Sequence, residues 1–413
     1  MRKLSNFLIV AILLCGCSAT VESRLDNVRD NYMATTTDTT ALEDKNNLDL
    51  LITADALFHD GDTTNADKAY EVFNKRNIDT TGGDILREAT TLTLGVNAND
   101  YRPYMMDSLF VSYYQLWAAI SDARWNDARV IINQSYARQQ DMSRAYKKLI
   151  ESNQSKLSDS SELMQTLNND NAKWTAYRDI MNPALMYLSG IYFLSSGDFS
   201  DAVTYLERAN GMTPRNSFIT QDLKLAKSKH EPTNTVWVFI EDGFAPKLTE
   251  QRISLPVVTG GGATFVTIAI SKPQFLESYT KIDGTETLAD VDAMFMTEYT
   301  EYRTNDALRA FTSAASRVAL QASLYNSRSK NAPLLGIMST LYSEFTNSAE
   351  VRTWATLPKT ISVLRMPNNK SGLIELRSNG NVIKTISIGT TGNYLIYVRT
   401  SPNKYDIKQM KLK

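Results

Sequence analysis

The sequence predicts an α+β chain built from several domains. An N-terminal α-helical, solenoid-like region is followed by an α+β region whose β-sandwich-like sheet carries a helical insertion. Three observations carry this. From Leu48 to Lys229 apolar residues recur at intervals of three and four, as in "DSLFVSYYQLWAAI" and "DAVTYLERA", the period of an amphipathic helix. Near Glu231-Pro232 the composition turns to short β-branched runs broken by Gly and Pro, "TVWVFIEDG", "QRISLPVV" and "ATFVTIAIS", which is strand chemistry. The helical period returns over residues 286–347 before a last set of strands. A chain of 413 residues holds two or three domains, and the expected units are 47–229 and 230–413.

The N-terminus reads as a processing signal. Met1-Arg2-Lys3 is basic, and Phe7 to Leu14 is an apolar run. That run is shorter than the ~20 residues a membrane span needs but suits a signal h-region. It ends in Leu14-Cys15-Gly16-Cys17, which holds both cysteines of the chain. A disulfide between them would close a strained ring, and a metal site lacks further ligands nearby. The pattern resembles a bacterial lipobox, the alternative being a plain cleaved signal with incidental cysteines. The resemblance implies removal of residues 1–16 and acylation of Cys17 with chains such as palmitate, enough of them for stable membrane attachment. Ser18, non-acidic, implies the outer membrane, with the folded part facing the periplasm. Residues 17–46, rich in Thr, Asp and Asn, are expected to be a tether with little to bury; Val21 to Tyr32 is their one candidate helix.

Within the helical region, Pro183 to Asn216 resembles a tetratricopeptide repeat. Met186, Gly190 and Phe193 fall on the first helix and Gly197-Asp198-Phe199 on the turn. Ala202, Leu206 and Ala209 fall on the second helix, with Pro214 at its end. Such repeats pack a small residue where helices cross and large ones between them. Ser189 departs from the usual Leu. Two degenerate relatives precede it, one with Ala128 and Ile132 on the second helix and Ala123 in place of the turn Gly, the other with Gly61-Asp62, Ala66 and Tyr70. The polar stretch Asp141 to Asn182 reads as a long exposed helix pair. In a stacked solenoid the first helix of each pair lines the concave face. The register puts Phe110, Tyr113, Trp117, Ile120, Tyr187, Ile191 and Leu194 there, an apolar and aromatic lining without the Lys/Arg cluster that holds a terminal carboxylate. It suits an amphipathic helix of a partner. The alternative is that these side chains pack on residues 141–182 or on the C-terminal unit.

In the second unit, Asn379-Gly380 between β-branched runs predicts a two-residue hairpin turn. Gly260 to Gly262 reads as a loop joining two strands, since no Lys-Ser/Thr follows to make a phosphate cradle. Glu241 and Asp242 sit at a strand end, where successive side chains point to opposite faces, and Asp242-Gly243 reads as a turn. His59 and His230 are the only histidines, and neither has a nucleophile beside it. No metal, cofactor or catalytic residue is expected. A net charge of −1 without a dense basic patch argues against nucleic acid as a partner.

The stretches "NPALMYLSGIYFLSSGDFSDAVTYLERA", "VWVFIEDGFAPKLTEQRISLP" and "EVRTWATLPKTISVLRMP" resemble a family of Gram-negative outer-membrane lipoproteins with tetratricopeptide-type repeats and a C-terminal α+β region. The resemblance implies a non-enzymatic scaffold that meets other envelope proteins through its repeats and the membrane through Cys17. The alternatives are a peptidoglycan- or glycan-binding or glycan-modifying protein that uses the 232–413 unit, and a component of a surface-export or appendage-assembly apparatus.

Overall fold

The computed structural model describes residues 17–33, 41–77, 101–157, 181–259, 262–304, 306–307, 310, 349–401 and 404–412. The chain is mixed α+β, helical in its N-terminal region and sheet-containing in its C-terminal region. The signal segment 1–16, Gly260 and Gly261, and most of 305–347 lie outside the described residues.

Among the described residues, eight α-helices precede the first strand: α1 (Cys17–Asp30), α2 (Asn47–Asp60), α3 (Thr63–Asn77), α4 (Met105–Ser121), α5 (Trp125–Leu157), α6 (Pro183–Ser195), α7 (Phe199–Met212) and α8 (Ser217–Lys227). The pairs α2–α3, α4–α5 and α6–α7 pack as helix hairpins. Local chemistry sets their ends. Asn182 accepts from the N–H groups of Ala184 and Leu185 ahead of Pro183 at the first helical position, satisfying donors the helix cannot. Gly61 closes α2 in the left-handed region at φ 86°. Where α6 crosses α7, a Cβ on residue 190 would stand 2.6 Å from Leu206 Cδ2, so only glycine permits that approach.

Two expectations change in this region. Residues 17–30, assigned to a tether, form α1. Its Leu25 is buried, Asp26 pairs with Lys247 Nζ at 2.9 Å, and Glu22 accepts the Glu250 N–H at 3.0 Å. The stretch from Asp141 does not begin an exposed helix pair, because α5 runs unbroken to Leu157. Met142, Ala145 and Tyr146 bury against Met105 and Leu109, an apolar stripe diluted by the charges on the other face of the helix. Residues 158–180 lie outside the described residues.

The C-terminal region comprises β1 (Thr235–Asp242), β2 (Lys247–Thr259), β3 (Gly262–Gln274), β4 (Glu286–Asp290), α9 (291–304), β5 (Thr360–Pro367), β6 (Leu373–Ser378), β7 (Asn381–Ser387), β8 (Tyr394–Thr400) and β9 (Tyr405–Lys411). A five-stranded sheet has the order β4-β5-β1-β8-β9, and β2–β3 and β6–β7 are separate hairpins. The helical insertion expected from residue 286 therefore opens with an edge strand, the helix starting at 291. Asn379 and Gly380 both have positive φ, 51° and 80°, as the predicted turn requires.

β1 is buried along its whole length, because the sheet is covered on both faces. Val236, Val238 and Ile240 meet Ile374, Leu376 and Ile386 of the β6–β7 hairpin. Trp237 and Phe239, on the alternate face, join one continuous core that runs through the helices from Leu25 to Leu412.

Two buried carboxyls fix the start of α4. Asp107 Oδ2 accepts from Tyr101 Oη at 2.7 Å and from the Tyr104 N–H at 2.8 Å. Glu298 of α9 accepts the N–H groups of Met105 and Met106 at 2.5 and 3.1 Å. Burial pushes Asp107 up to about 7 and Glu298 up to about 8, against the lowering effect of these bonds. A carboxyl raised in the fold lends stability that is fully present below its unfolded pKa and lost as pH rises through the folded value. For Asp107 that window runs from near 4 to about 7. Asp107→Asn keeps an acceptor for both donors and removes the titration. Thermal melts are expected to show a smaller loss of stability between pH 5 and pH 8 in this variant, by on the order of a few kcal/mol; an unchanged pH slope would refute the assignment.

Candidate functional site

The seven residues expected to line an open groove are all buried: Phe110, Tyr113, Trp117, Ile120, Tyr187, Ile191 and Leu194 are each at most 1% exposed. The register placed them together on one side of α4 and α6, and the structure does bring them together. The sheet of the same chain covers that side. Trp117 meets Phe239 of β1 and Tyr397 of β8 edge-on, with centroids 5.3 and 5.2 Å away. Tyr187 lies 5.7 Å from Phe239. As an external docking groove this face is therefore corrected. Its occupant is the helix-facing stripe of β1 and β8, which carries large apolar side chains at every second residue and needs cover.

Polar links hold this contact. Asp222 of α8, which no sequence pattern singled out, accepts from Tyr187 Oη at 2.7 Å, Trp237 Nε1 at 2.7 Å and Arg365 Nε at 2.8 Å. One carboxylate thus ties α6 and α8 to β1 and β5. Glu241 ends the same stripe of β1. Its Oε2 accepts from Tyr114 Oη of α4 at 3.0 Å and Tyr397 Oη of β8 at 2.9 Å, and Arg399 Nη1 stands 3.6 Å away. Arg399 also donates to the carbonyls of Gly243 and Thr356 at 2.9 and 3.1 Å. Burial raises the Glu241 pKa and the Arg399 charge opposes it. Asp242, on the other face, accepts the N–H groups of Tyr279 and Thr280 and the hydroxyl of Thr400. The turn read at Asp242-Gly243 begins one residue later, at Gly243 with φ 65°.

His59 joins this region from α2. Its Nδ1 donates to Asp406 Oδ2 at 2.7 Å, its Nε2 lies 3.3 Å from Asp55 Oδ1, and Tyr32 Oη adjoins Nε2. Burial alone would lower the imidazole pKa, but Asp55 and Asp406 outweigh it and raise it. His59, Tyr397, Arg399 and Asp406 bond between elements of the chain, so the cluster reads as an internal clamp, although both Asp55 oxygens and Glu241 Oε1 have no hydrogen-bond partner among the described residues. His230 is exposed, its Nδ1 2.7 Å from the Ser228 carbonyl. Cys17 opens α1. Among the described residues no His, Cys, Asp and Glu cluster suits a metal ion, and no helix is long and apolar enough to cross a membrane.

A solvent-facing site lies instead at the turns of two helix hairpins. A cleft of about 390 Å³ is lined by Trp125, Asn126 and Arg129 of α5, Tyr192 and Ser195 of α6, Asp198, and Leu412 beyond β9. Trp125 and Tyr192 are half-buried, stack at 6.3 Å, and are joined by a Tyr192 hydroxyl bond to the Trp125 carbonyl at 2.7 Å. Arg129 pairs with Asp198, lies 3.7 Å from Asp201, and stands over the Phe193 ring. An aromatic floor with a charged rim suits a ligand with an apolar body and polar edges. The signal in the sequence was an aromatic residue next to each turn, at positions the concave register leaves out. Comparison of the chain with protein families, with curated proteins and with solved structures finds no match.

Removing Arg399 leaves Glu241 buried without its counter-charge. Arg399→Met is expected to destabilise the fold by about 3–5 kcal/mol, and Arg399→Met/Glu241→Gln by less than the sum of the single changes. Urea denaturation of the four proteins of this cycle measures both; additive effects would show that the two side chains do not act together.

Proposed function

We propose that this chain is a periplasm-facing outer-membrane lipoprotein, held by acylated Cys17 and acting as a non-enzymatic adaptor in an envelope protein complex. Its hairpins α2–α3, α4–α5 and α6–α7 are read as tetratricopeptide-type repeats, and the sheet of 230–413 with its β6–β7 cover as a sandwich-like unit. The observation that carries the adaptor role is the Trp125–Tyr192 cleft. It offers half-buried aromatic surface beside Arg129 and Asp198 at the ends of two repeats, while the concave face is committed to the chain's own sheet. Binding surfaces of adaptors draw their affinity from such aromatic and arginine anchors. A partner protein segment that fills the cleft would replace water on the two rings and meet the paired charges at the rim.

The same aromatic floor with Asn126 and Asp198 favours one second reading, a glycan partner such as peptidoglycan, because sugar rings stack on aromatic faces while their hydroxyls bond amides and carboxylates.

Photo-crosslinking in cells from position 126 is expected to trap one discrete envelope partner, and Trp125→Ala/Arg129→Glu to reduce that adduct at least tenfold without changing the melting temperature by more than a few degrees. An adduct pattern that the double variant leaves unchanged would remove the cleft from the proposal. Co-sedimentation with purified sacculi, lost in the same variant, would move the assignment to glycan. For the anchor, Cys17→Ala is expected to abolish acylation and release from the membrane fraction the chain cut free of its signal; a variant that carries lipid elsewhere and still fractionates with outer membrane would refute attachment through this residue.

A further inference from the structure

The β2–β3 hairpin stands apart from the five-stranded sheet as a two-stranded ribbon paired from Lys247↔Gln274 to Thr259↔Gly262. From Ile253 to Ser271 it carries no Asp, Glu, Lys, Arg or His. One face of this segment, with Leu255, Val266, Ile268 and Ile270, is buried and packs with Ala307. On the other face, toward the distal end, Phe265 is 72% exposed. Charge resumes at Arg252 on one strand and at exposed Lys272 on the other.

α1 sets the direction in which this ribbon points. Asp26 meets Lys247 and Glu22 meets the Glu250 N–H, so the helix runs antiparallel to β2. Its first residue, Cys17, and the hairpin tip therefore extend the same way. From Glu22 back to Cys17 the helix advances about 7.5 Å at ~1.5 Å per residue. From Glu250 to Thr259 the strand advances about 30 Å at ~3.3 Å per residue. Along parallel axes, these advances put Thr259, the end of β2, roughly 20 Å past the level of Cys17.

We infer that the distal part of the β2–β3 hairpin, with Phe265 foremost, docks into the lipid leaflet that holds the acyl chains of Cys17. The inference rests on the lipoprotein reading above. An acylated Cys17 sits at headgroup depth, and a ribbon that projects past it in the same direction meets the bilayer. That ribbon is uncharged over the part that would enter, with Arg252 and Lys272 where anionic headgroups lie. Hydrocarbon does not tolerate the unpaired outer edges of two strands. The ribbon therefore settles obliquely at the headgroup boundary, tip first, and does not cross. The lipid and the hairpin would act as two attachment points that fix the orientation of the folded body, with one helix between them in place of a slack tether.

The test uses the full mature chain, purified with its lipid and reconstituted in phosphatidylethanolamine–phosphatidylglycerol vesicles. Cys15 leaves with the signal and Cys17 is blocked by its thioether, so Phe265→Cys or Lys272→Cys supplies one thiol for an environment-sensitive dye. At position 265 the dye is expected to shift to the blue and to be quenched several-fold more by nitroxide-labelled lipid than at 272. It should also be shielded several-fold better from iodide in the water. Equal emission and equal quenching at the two positions, with Cys17 acylated by mass spectrometry, would overturn the hairpin insertion and leave the lipoprotein reading standing. An unacylated Cys17 would overturn both.

Discussion

A carboxylate withdrawn from water at the end of a central strand demands a counter-charge and hydrogen bonds, and Glu241 obtains them from three side chains on two other elements. Tyr114 comes from the second helix hairpin, Tyr397 and Arg399 from the strand parallel to β1. Those partners converge only if the helical layer lies against the sheet, so the polar clamp and the apolar contact specify the same arrangement. Asp222 repeats the device at the opposite end of the stripe, where it joins Tyr187, Trp237 and Arg365. Between these two carboxylates lie Trp117, Tyr187 and Phe239, whose packing excludes water from both. Low local polarity strengthens the bonds that are made and penalises any alternative pairing, which gives the interface one register.

The consequence for function is a change of location. Three helix hairpins whose apolar side is covered by the chain's own sheet leave their turns for contact with other molecules. The Trp125–Tyr192 cleft forms at such turns, and the chain's last described residue, Leu412, closes one side of it. α1 is likewise fixed to the body of the chain, since it docks on β2 through Asp26 and Glu22.

Much of the local structure was legible. The α6–α7 hairpin follows from the Asn182-Pro183 cap, the Gly190 crossing and the Gly197 turn, each a property of a few adjacent residues. Asn379-Gly380 announced its hairpin for the same reason. The seven aromatic and apolar side chains of α4 and α6 are grouped by helical periodicity, and all seven are buried. What covers them was not legible, since apolarity is the same signal whether the cover is a partner or a distant stretch of the same chain, here β1 and β8. Glu241 illustrates the opposite failure. An acidic pair before a glycine reads as a solvated turn, and nothing local reveals that Arg399 will stand beside it.

The sequence by itself determined elements and their buried sides: three helix hairpins, the alternation of β1, and the apolar ribbon of β2 and β3. These depend on period, capping and turn chemistry, which act over a few residues. The tertiary structure alone decided that the sheet covers the apolar side of α4 and α6, that the helix overlapping the candidate Val21 to Tyr32 docks on β2, and that the aromatic cleft lies at the turns. Each of those depends on which distant surface gains most by leaving water together, a comparison among long-range contacts that no single segment encodes.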